Sequence, residues 1–470
     1  MDGTLGRVWL ATAGLCAGTW LGTLSHVRGV AMTMVVAGAA LTLVRRRAGL
    51  ALVAIVLVVA GAGMLNAQVR MAPRGPLGDI AHDVPRCTFE GTILESIGGL
   101  GTLVDVGAIE CDSFTARSVG VASIPDEVGE PGARFTAQGW VVPLGSDGFE
   151  TTLRRAGAQA SLHISELEVV RSPRGAQAIA ARVREGLNTA VSDVDPRAGA
   201  LIKGLTIGDT SGLGSATIDI FRNAGLSHIL AVSGSNVAIV LGAVMVGLRS
   251  IGHRVRIGFG YLGLGLFVLV VGPDASVLRA AAMGAIALAC LAQGRTAEPL
   301  AALGLAVIAV VALRPGMLFS VGMQLSAAAT AGIVLFSGPI SARLAVLPEA
   351  FRTMIAATLA AQIAVAPLLI LVFGELSLVA PFANALALPA VAPGTVAGLA
   401  SGIVAIPLPW LGASLIRLVA PAASWILFVA DRFGSLEWSL ARVPTVVGWP
   451  LMGLVALWAT RVLRASDHAR

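Results

Sequence analysis

The stretch GLTIGDTSGLGSATIDIFRNAGLSHILAVSGSNVAIV, residues 204–240, decides how this chain is read. It opens on a Gly-rich polar turn around Asp209 and passes through a short amphipathic piece. It ends in an apolar run that still carries Ser227, His228, Ser233, Ser235 and Asn236. Hydrocarbon cannot solvate that many hydrogen-bonding groups. Apolar length with an embedded Ser/His/Asn cluster and helix-breaking glycines points to polar groups facing a protein-lined cavity at membrane depth. The expectation is a translocation path.

The surrounding composition sets the class. Of 470 residues, 56% are hydrophobic and 13% charged, and the mean hydropathy is +0.83, which excludes an ordinary soluble globular protein. The formal charge is +6 with a pI near 10.0, carried almost wholly by Arg, since Lys203 is the one lysine. Arginine's planar fork suits phosphate. A codon bias toward Arg, Ala, Gly and Val leaves the same trace, so the basic balance alone does not identify a nucleic-acid binder.

Toward the N-terminus, Val8 to Leu24 and Val30 to Val44 are apolar runs joined by a turn holding His26 and Arg28. Arg45, Arg46 and Arg47 follow, then a third run from Leu50 to Leu65. A bilayer core takes about 20 residues to cross, so the second run must borrow flanking residues. Short basic loops stay in the cytoplasm. That places the N-terminus inside, the Arg cluster inside and everything after Gln68 outside. The first run does not read as a cleavable signal, because two more spans follow at once. Residues 1–70 are therefore taken as N-terminal membrane segments.

From Pro76 to Val170 the character changes. Acidic residues rise and period-two alternation appears in Cys87 to Leu94, Leu103 to Cys111, Phe135 to Val142 and Ala160 to Val170, between Gly, Pro and Asp turn signals. Residues 76–171 are expected to form a small extracytoplasmic β-barrel, OB-like, with other small β folds left open. Phe89, Phe114, Phe135, Trp140 and Phe149 are either base-stacking platforms or barrel core, and the acidic balance favours core. Cys87 and Cys111 fall on expected strands in an oxidising compartment, so a disulfide is anticipated over two free thiols. Residues 172–200 read as an amphipathic linker helix that lies on the membrane or packs on the bundle rim.

Residues 201–465 hold the remaining spans, for a total of about 10–12 membrane segments, some re-entrant. Arg249, His253, Arg254 and Arg256 mark a cytoplasmic loop, and Arg461 and Arg464 keep the C-terminus inside. Arg279 sits inside a span, where it must face a cavity or a partner or else snorkel. Gln324, Ser326, Thr330 and Gln362 add neutral polar groups to apolar helices. Singly they fit interhelical hydrogen bonds; together they fit a wet lining that does not trap phosphates. Phe373-Gly374-Glu375 and Pro381 to Pro393 are read as broken or re-entrant helices near the path.

These segments resemble, in order, those of the ComEC competence family. Gly204 to Asp209 is similar to its GLLLGD-like turn, and Phe221 to Gly234 to its FRxTGLSHLLAISG signature. Ser276 to Ala280, Met323 to Ser326 with Thr330, Gln362 to Pro367, Phe373-Gly374 and Asn384 to Pro389 resemble its later segments. The resemblance implies a multi-pass protein of the cytoplasmic membrane that passes single-stranded DNA inward during natural transformation. It also implies an outer DNA receptor and a cytoplasmic helicase-like motor as partners, alongside membrane lipid. The path-lining residues would be Asp209, Arg222, Ser227, His228, Ser233, Asn236, Arg279, Gln324, Ser326, Thr330, Gln362 and Asn384.

The chain departs from that pattern twice. Asn236 stands where the family often has His, which removes proton transfer but keeps hydrogen bonding. The six His, at 26, 82, 163, 228, 253 and 468, are scattered with no HxHxDH, so the form lacking the metallo-β-lactamase-like domain is expected. No metal, cofactor or enzymatic activity is anticipated. The competing readings are a secondary transporter of a small solute, for which no inverted repeat is seen, and a membrane hydrolase using Ser233, His228 and Asp209, whose spacing is poor support for a triad.

Overall fold

The computed structural model describes residues 3–22, 59–60, 62–68, 75–80, 86–96, 101–111, 114–145, 148–230 and 232–468. The expected run Val30 to Val44, the Arg45–Arg47 cluster, most of the Leu50 to Leu65 run, His26, Arg28 and His82 lie outside the described residues. The side chain of Phe149 does as well.

Helix α1 (Gly3–Gly22) is apolar and packs against a later helix, α9, introduced below. Five strands follow: β1 (Arg86–Ser96), β2 (Thr102–Cys111), β3 (Thr115–Ile124), β4 (Arg134–Pro143) and, after helix α2 (Gly148–Ala156), β5 (Ala160–Arg171). They pair in the order β1-β2-β3-β5-β4, and β4 pairs back with β1, so the sheet closes on itself. The alternation seen in sequence fills its interior with Phe89, Ile93, Val104, Val106, Ile109, Phe135, Val141 and Leu162, all nearly inaccessible. β3 is the strand the alternation does not reveal. Ser118 there takes a positive φ of 52° and Gly120 one of 132°, so the periodicity breaks while the pairing to β2 continues. Register places Cys87 directly opposite Cys111, and the two are joined by a disulfide.

The chain then becomes helical to its end. Helix α3 (Ala176–Val191) leads to α4 (Pro196–Ile207), α5 (Ser215–Asn223), a single turn at Ser227–Leu230 and α6 (Gly234–Gly247). After these come α7 (His253–Val271), α8 (Ala275–Ala292), α9 (Pro299–Leu313), α10 (Val321–Arg343) and α11 (Glu349–Phe373). A two-strand ribbon, β6 (Glu375–Ser377) with β7 (Leu440–Arg442), brackets α12 (Ala380–Ala405) and α13 (Pro409–Gly434), and α14 (Gly448–His468) closes the chain. Among the described residues, seven helices are long and apolar enough to cross a membrane: α7, α8, α10, α11, α12, α13 and α14. Shorter apolar helices lie in α1, α6 and α9. This is a mostly helical multi-pass membrane protein carrying a separate sheet domain.

Local chemistry sets the boundaries. Asp195 caps α4 by accepting from Ala198 N at 3.0 Å, with Pro196 next to it, and Gly208 ends the helix at φ 79°. α11 stops at Gly374, also left-handed, so the expected break at Phe373-Gly374 is present. The break expected over Pro381 to Pro393 is not. Pro381 occupies the first turn of α12, and Pro389 and Pro393 sit inside one continuous helix of 26 residues. A proline removes one backbone bond and bends the helix, but α12 is gripped along its length by α13 and α3, which hold its two parts together.

The linker helix α3 belongs to the bundle rather than to the membrane surface. Gly186 lies against the carbonyl of Gly402, and Gly402 against that of Val183, so α3 and α12 approach backbone to backbone. Gly398, one turn away on the same face of α12, receives Thr206 of α4. A side chain at any of these glycines would force the helices apart.

Candidate functional site

The β domain is fastened to one end of the bundle. Both carboxylate oxygens of Glu95, on β1, accept from Arg314 Nη1 at 2.9 Å just past the end of α9. Arg184, on α3, donates Nε to Glu130 at 2.8 Å and Nη1 to the Val270 carbonyl at 2.8 Å. The Arg155 guanidinium lies 4.5 Å from the Phe319 ring centre. This end therefore holds the end of α7, the start of α8, the end of α9 and the start of α10.

About one helical turn beneath it, at a rise of 1.5 Å per residue, lies the first group of polar side chains. Arg279 is the fifth residue of α8 and only 4% exposed. Its Nε and Nη2 donate to Ser326 Oγ of α10 at 3.1 and 2.6 Å, and Nη1 meets Met283 Sδ at 3.1 Å. The guanidinium lies over the start of α6, where Nη2 stands 2.6 Å from the position of a Cβ at Gly234. Ser233, which occupies the N-cap position of α6 without a side-chain capping bond, shares a hydrogen bond with Ser235, and Ser276 donates to the Val232 carbonyl at 3.2 Å. Asn236, 2% exposed, donates Nδ2 to the Leu205 carbonyl at 2.9 Å. Thr330 donates to the Ser326 carbonyl in its own helix at 2.9 Å.

A second group surrounds the start of α12. Gln362 donates to the Ser377 carbonyl at 3.1 Å, and Ser377 Oγ donates to the Asn223 carbonyl at 2.7 Å. Gly225 packs on Ala380 and Ser377, and Asn384, 7% exposed, keeps a buried Oδ1 with no partner among the described residues. The turn Ser227–Leu230 follows Gly225: it buries Ile229 and Leu230 and leaves Ser227 and His228 exposed.

Three of the expected path residues stand apart from both groups. Asp209 pairs with Lys203 at 2.6 Å and accepts from the Ser211 N–H at 3.0 Å, which ties the turn after α4. Burial raises its carboxyl pKa. Hydrogen bonds from Lys203 and Ser211 and the Lys203 charge more than offset that and hold it below the ordinary value. Arg222 is exposed on α5 and pairs with Asp219 at 3.3 Å. Gln324 is exposed and donates to the Leu318 carbonyl at 3.1 Å. Asp209 is engaged by Lys203 and Ser211 and Ser233 by Ser235, and among the described residues no hydrogen bond links Asp209, His228 and Ser233.

Sequence reasoning overlooked Gly234, Ser276 and Ser377 as parts of these groups. The first two lie inside segments it quoted, so their neighbours were the only signal; Ser377 carried none. On the β domain, Phe89 and Phe135 are core, whereas Trp140 is exposed under the Arg86 guanidinium. Two surface clefts there, of about 400 and 460 Å³, are lined by Asp105 with Ser118 and by Glu90, Glu110 and Arg117. Their acidic side chains do not suit a polyanion. Among the described residues, no cluster of three His, Cys, Asp or Glu is placed to hold a metal.

A family model described as "Competence protein" matches residues 205–467, which include every expected path residue. The chain is 28% identical over 210 residues to ComE operon protein 3 of Bacillus subtilis (strain 168), a match over 43% of this chain and 26% of that protein. The chain thus spans about a quarter of the length of that relative. No solved structure matches it.

Proposed function

The chain belongs to the Competence protein family, and on that premise we propose that it is a cytoplasmic-membrane channel that passes single-stranded DNA into the cell during natural transformation. The observation that carries this reading is the polar group at the start of α6. A buried arginine, two serines and a helix N-terminus meet inside an apolar bundle, directly beneath a domain seated on one of its ends. A strand of phosphates moving through a membrane needs such positively biased stations, and hydroxyls between them let it leave again.

The β domain, residues 76–171, is read as an OB-like barrel outside the cell. Support comes from its five-strand order, closed by β1 on β4, and from the Cys87–Cys111 disulfide, which persists in oxidising compartments. The turn between α6 and α7, with Arg249, His253, Arg254 and Arg256, lies at the opposite end and is assigned to the cytoplasm with both termini. Residues 1–70 supply membrane segments, 172–200 the linker and 201–465 the channel. A DNA receptor outside and a helicase-like motor inside complete the proposed assembly.

The test is transport by the purified chain in sealed phosphatidylcholine vesicles. Fluorescent oligothymidylate should become protected from external nuclease faster than in empty vesicles, whereas duplex of the same length should not. Equal protection in empty vesicles would remove the channel, and protein-dependent passage of a small neutral solute would favour the transporter.

A further inference from the structure

Arg279 carries two electrostatic penalties at once. The residue is only 4% exposed, yet among the described residues no Asp or Glu lies within ion-pair distance of its guanidinium. The nearest acidic residue in sequence, Asp274, stands at the N-cap position of α8 and makes no ion pair with Arg279. A buried cation without a counter-charge is strongly disfavoured. The guanidinium also lies against the first residue of α6, a helix of 14 residues, so a cation meets the positive end of a helix dipole.

Both penalties become favourable terms if an anion binds there. Helix N-termini and arginine forks are the two standard protein partners of phosphate. Ser326 Oγ accepts from two guanidinium nitrogens, and among the described residues its own hydroxyl hydrogen has no acceptor. Met283 Sδ is a weak partner for Nη1.

We propose that Arg279, Ser326 and the N-terminus of α6 at Gly234 form a binding site for a single phosphate anion, occupied in function by a phosphodiester of the DNA strand. The inference rests on the channel reading for its occupant and on Arg279 alone for its existence. Gly234 is the positioning residue, because only an absent Cβ lets the guanidinium lie over the helix start.

The experiment uses the whole purified chain in a maltoside detergent and in phosphatidylcholine nanodiscs. The thermal midpoint is followed as inorganic phosphate is added, for wild type, Arg279→Gln, Arg279→Lys and Gly234→Ala. Phosphate should raise the wild-type midpoint, and its apparent affinity should fall roughly tenfold or more in Arg279→Gln. Without phosphate, Arg279→Gln should melt no lower than wild type, since it removes an uncompensated charge; a purely structural arginine would give a lower midpoint. Arg279→Lys should retain part of the response, and Gly234→Ala should weaken it. An equal phosphate response in wild type and Arg279→Gln, or none in wild type, would overturn the site. A response in maltoside that disappears in nanodiscs would make a lipid headgroup the occupant and overturn the assignment to DNA. An Arg279-dependent response together with no oligothymidylate transport would leave the site standing and remove the channel.

Discussion

Gly234 and Arg279 share one space: the guanidinium Nη2 stands 2.6 Å from where a Cβ on residue 234 would be. The nearest obstacle is the far end of a flexible side chain and the next is Ala280 Cβ of α8 at 3.2 Å, so an added methyl displaces the guanidinium and asks α8 to give by only a few tenths of an ångström.

Gly234→Ala should therefore separate transport from stability. Oligothymidylate transport should fall about tenfold, the scale of one charge-assisted hydrogen bond. The unfolding free energy should change by no more than about 1 kcal/mol, since alanine also favours the helix. Unchanged transport would remove the guanidinium position from the mechanism.

Asn236 is a structural donor. Replacing it with Leu leaves the Leu205 carbonyl, near the end of α4, without its side-chain partner in a buried place, at a cost of about 1–3 kcal/mol. Asn236→His keeps a ring N–H able to reach that carbonyl, so it should recover most of the loss. A melt in which His and Leu are equivalent would contradict the role.

The β domain should loosen when its clamps are cut one by one. Arg314 and Glu95 are partly exposed, so a double-mutant cycle there should give no more than about 1 kcal/mol. Arg184→Met should cost more, about 1–3 kcal/mol, because Arg184 holds both Glu130 and the Val270 carbonyl from a largely buried position. Faster amide exchange over residues 172–180 in Arg184→Met, absent in Arg314→Met, is the expected signature.

The turn after α4 should weaken in acid. The Asp209 pKa is depressed on folding, so its contribution is complete above the unfolded value and is lost as pH falls through the folded one. As pH falls below the ordinary carboxylate value of about 4, wild type should lose stability more steeply than Asp209→Asn. Parallel pH profiles would show that the Lys203 pairing contributes nothing.

Removing the disulfide, which closes a separation of 24 residues, should destabilise the β domain by roughly 3 kcal/mol through the entropy of its unfolded chain. Cys87→Ala with Cys111→Ala should lower the midpoint of the β domain while leaving that of the bundle unchanged, as read by differential scanning calorimetry.

Much of this architecture was legible in the sequence because it follows from local transfer energies. Apolar runs of membrane length, turns rich in Gly and Pro, and alternation over residues 86–171 are short-range consequences of what water and lipid accept. β3 escaped detection because Ser118 and Gly120 interrupt its period. The continuity of α12 across Pro389 and Pro393 escaped because it rests on packing against α13 and the sequence-distant α3 rather than on local pattern. Of the twelve residues expected to line one path, Ser233, Asn236, Arg279, Ser326 and Thr330 gather at the start of α6, and Gln362 and Asn384 at the start of α12. Ser227 and His228 lie exposed on the single turn after Gly225, and Asp209, Arg222 and Gln324 are engaged elsewhere.

The sequence by itself determined the class, the family and the polar residues worth attention, since hydropathy and ordered motifs are properties of the chain alone. Only the tertiary structure decided which of those residues meet. It showed that Asn236 is committed to Leu205, that Gly234 yields its space to Arg279, and that no carboxylate answers that charge among the described residues. Counter-charges and close approaches join elements far apart in the chain, and hydrogen-bond partners at that distance leave no local pattern to read.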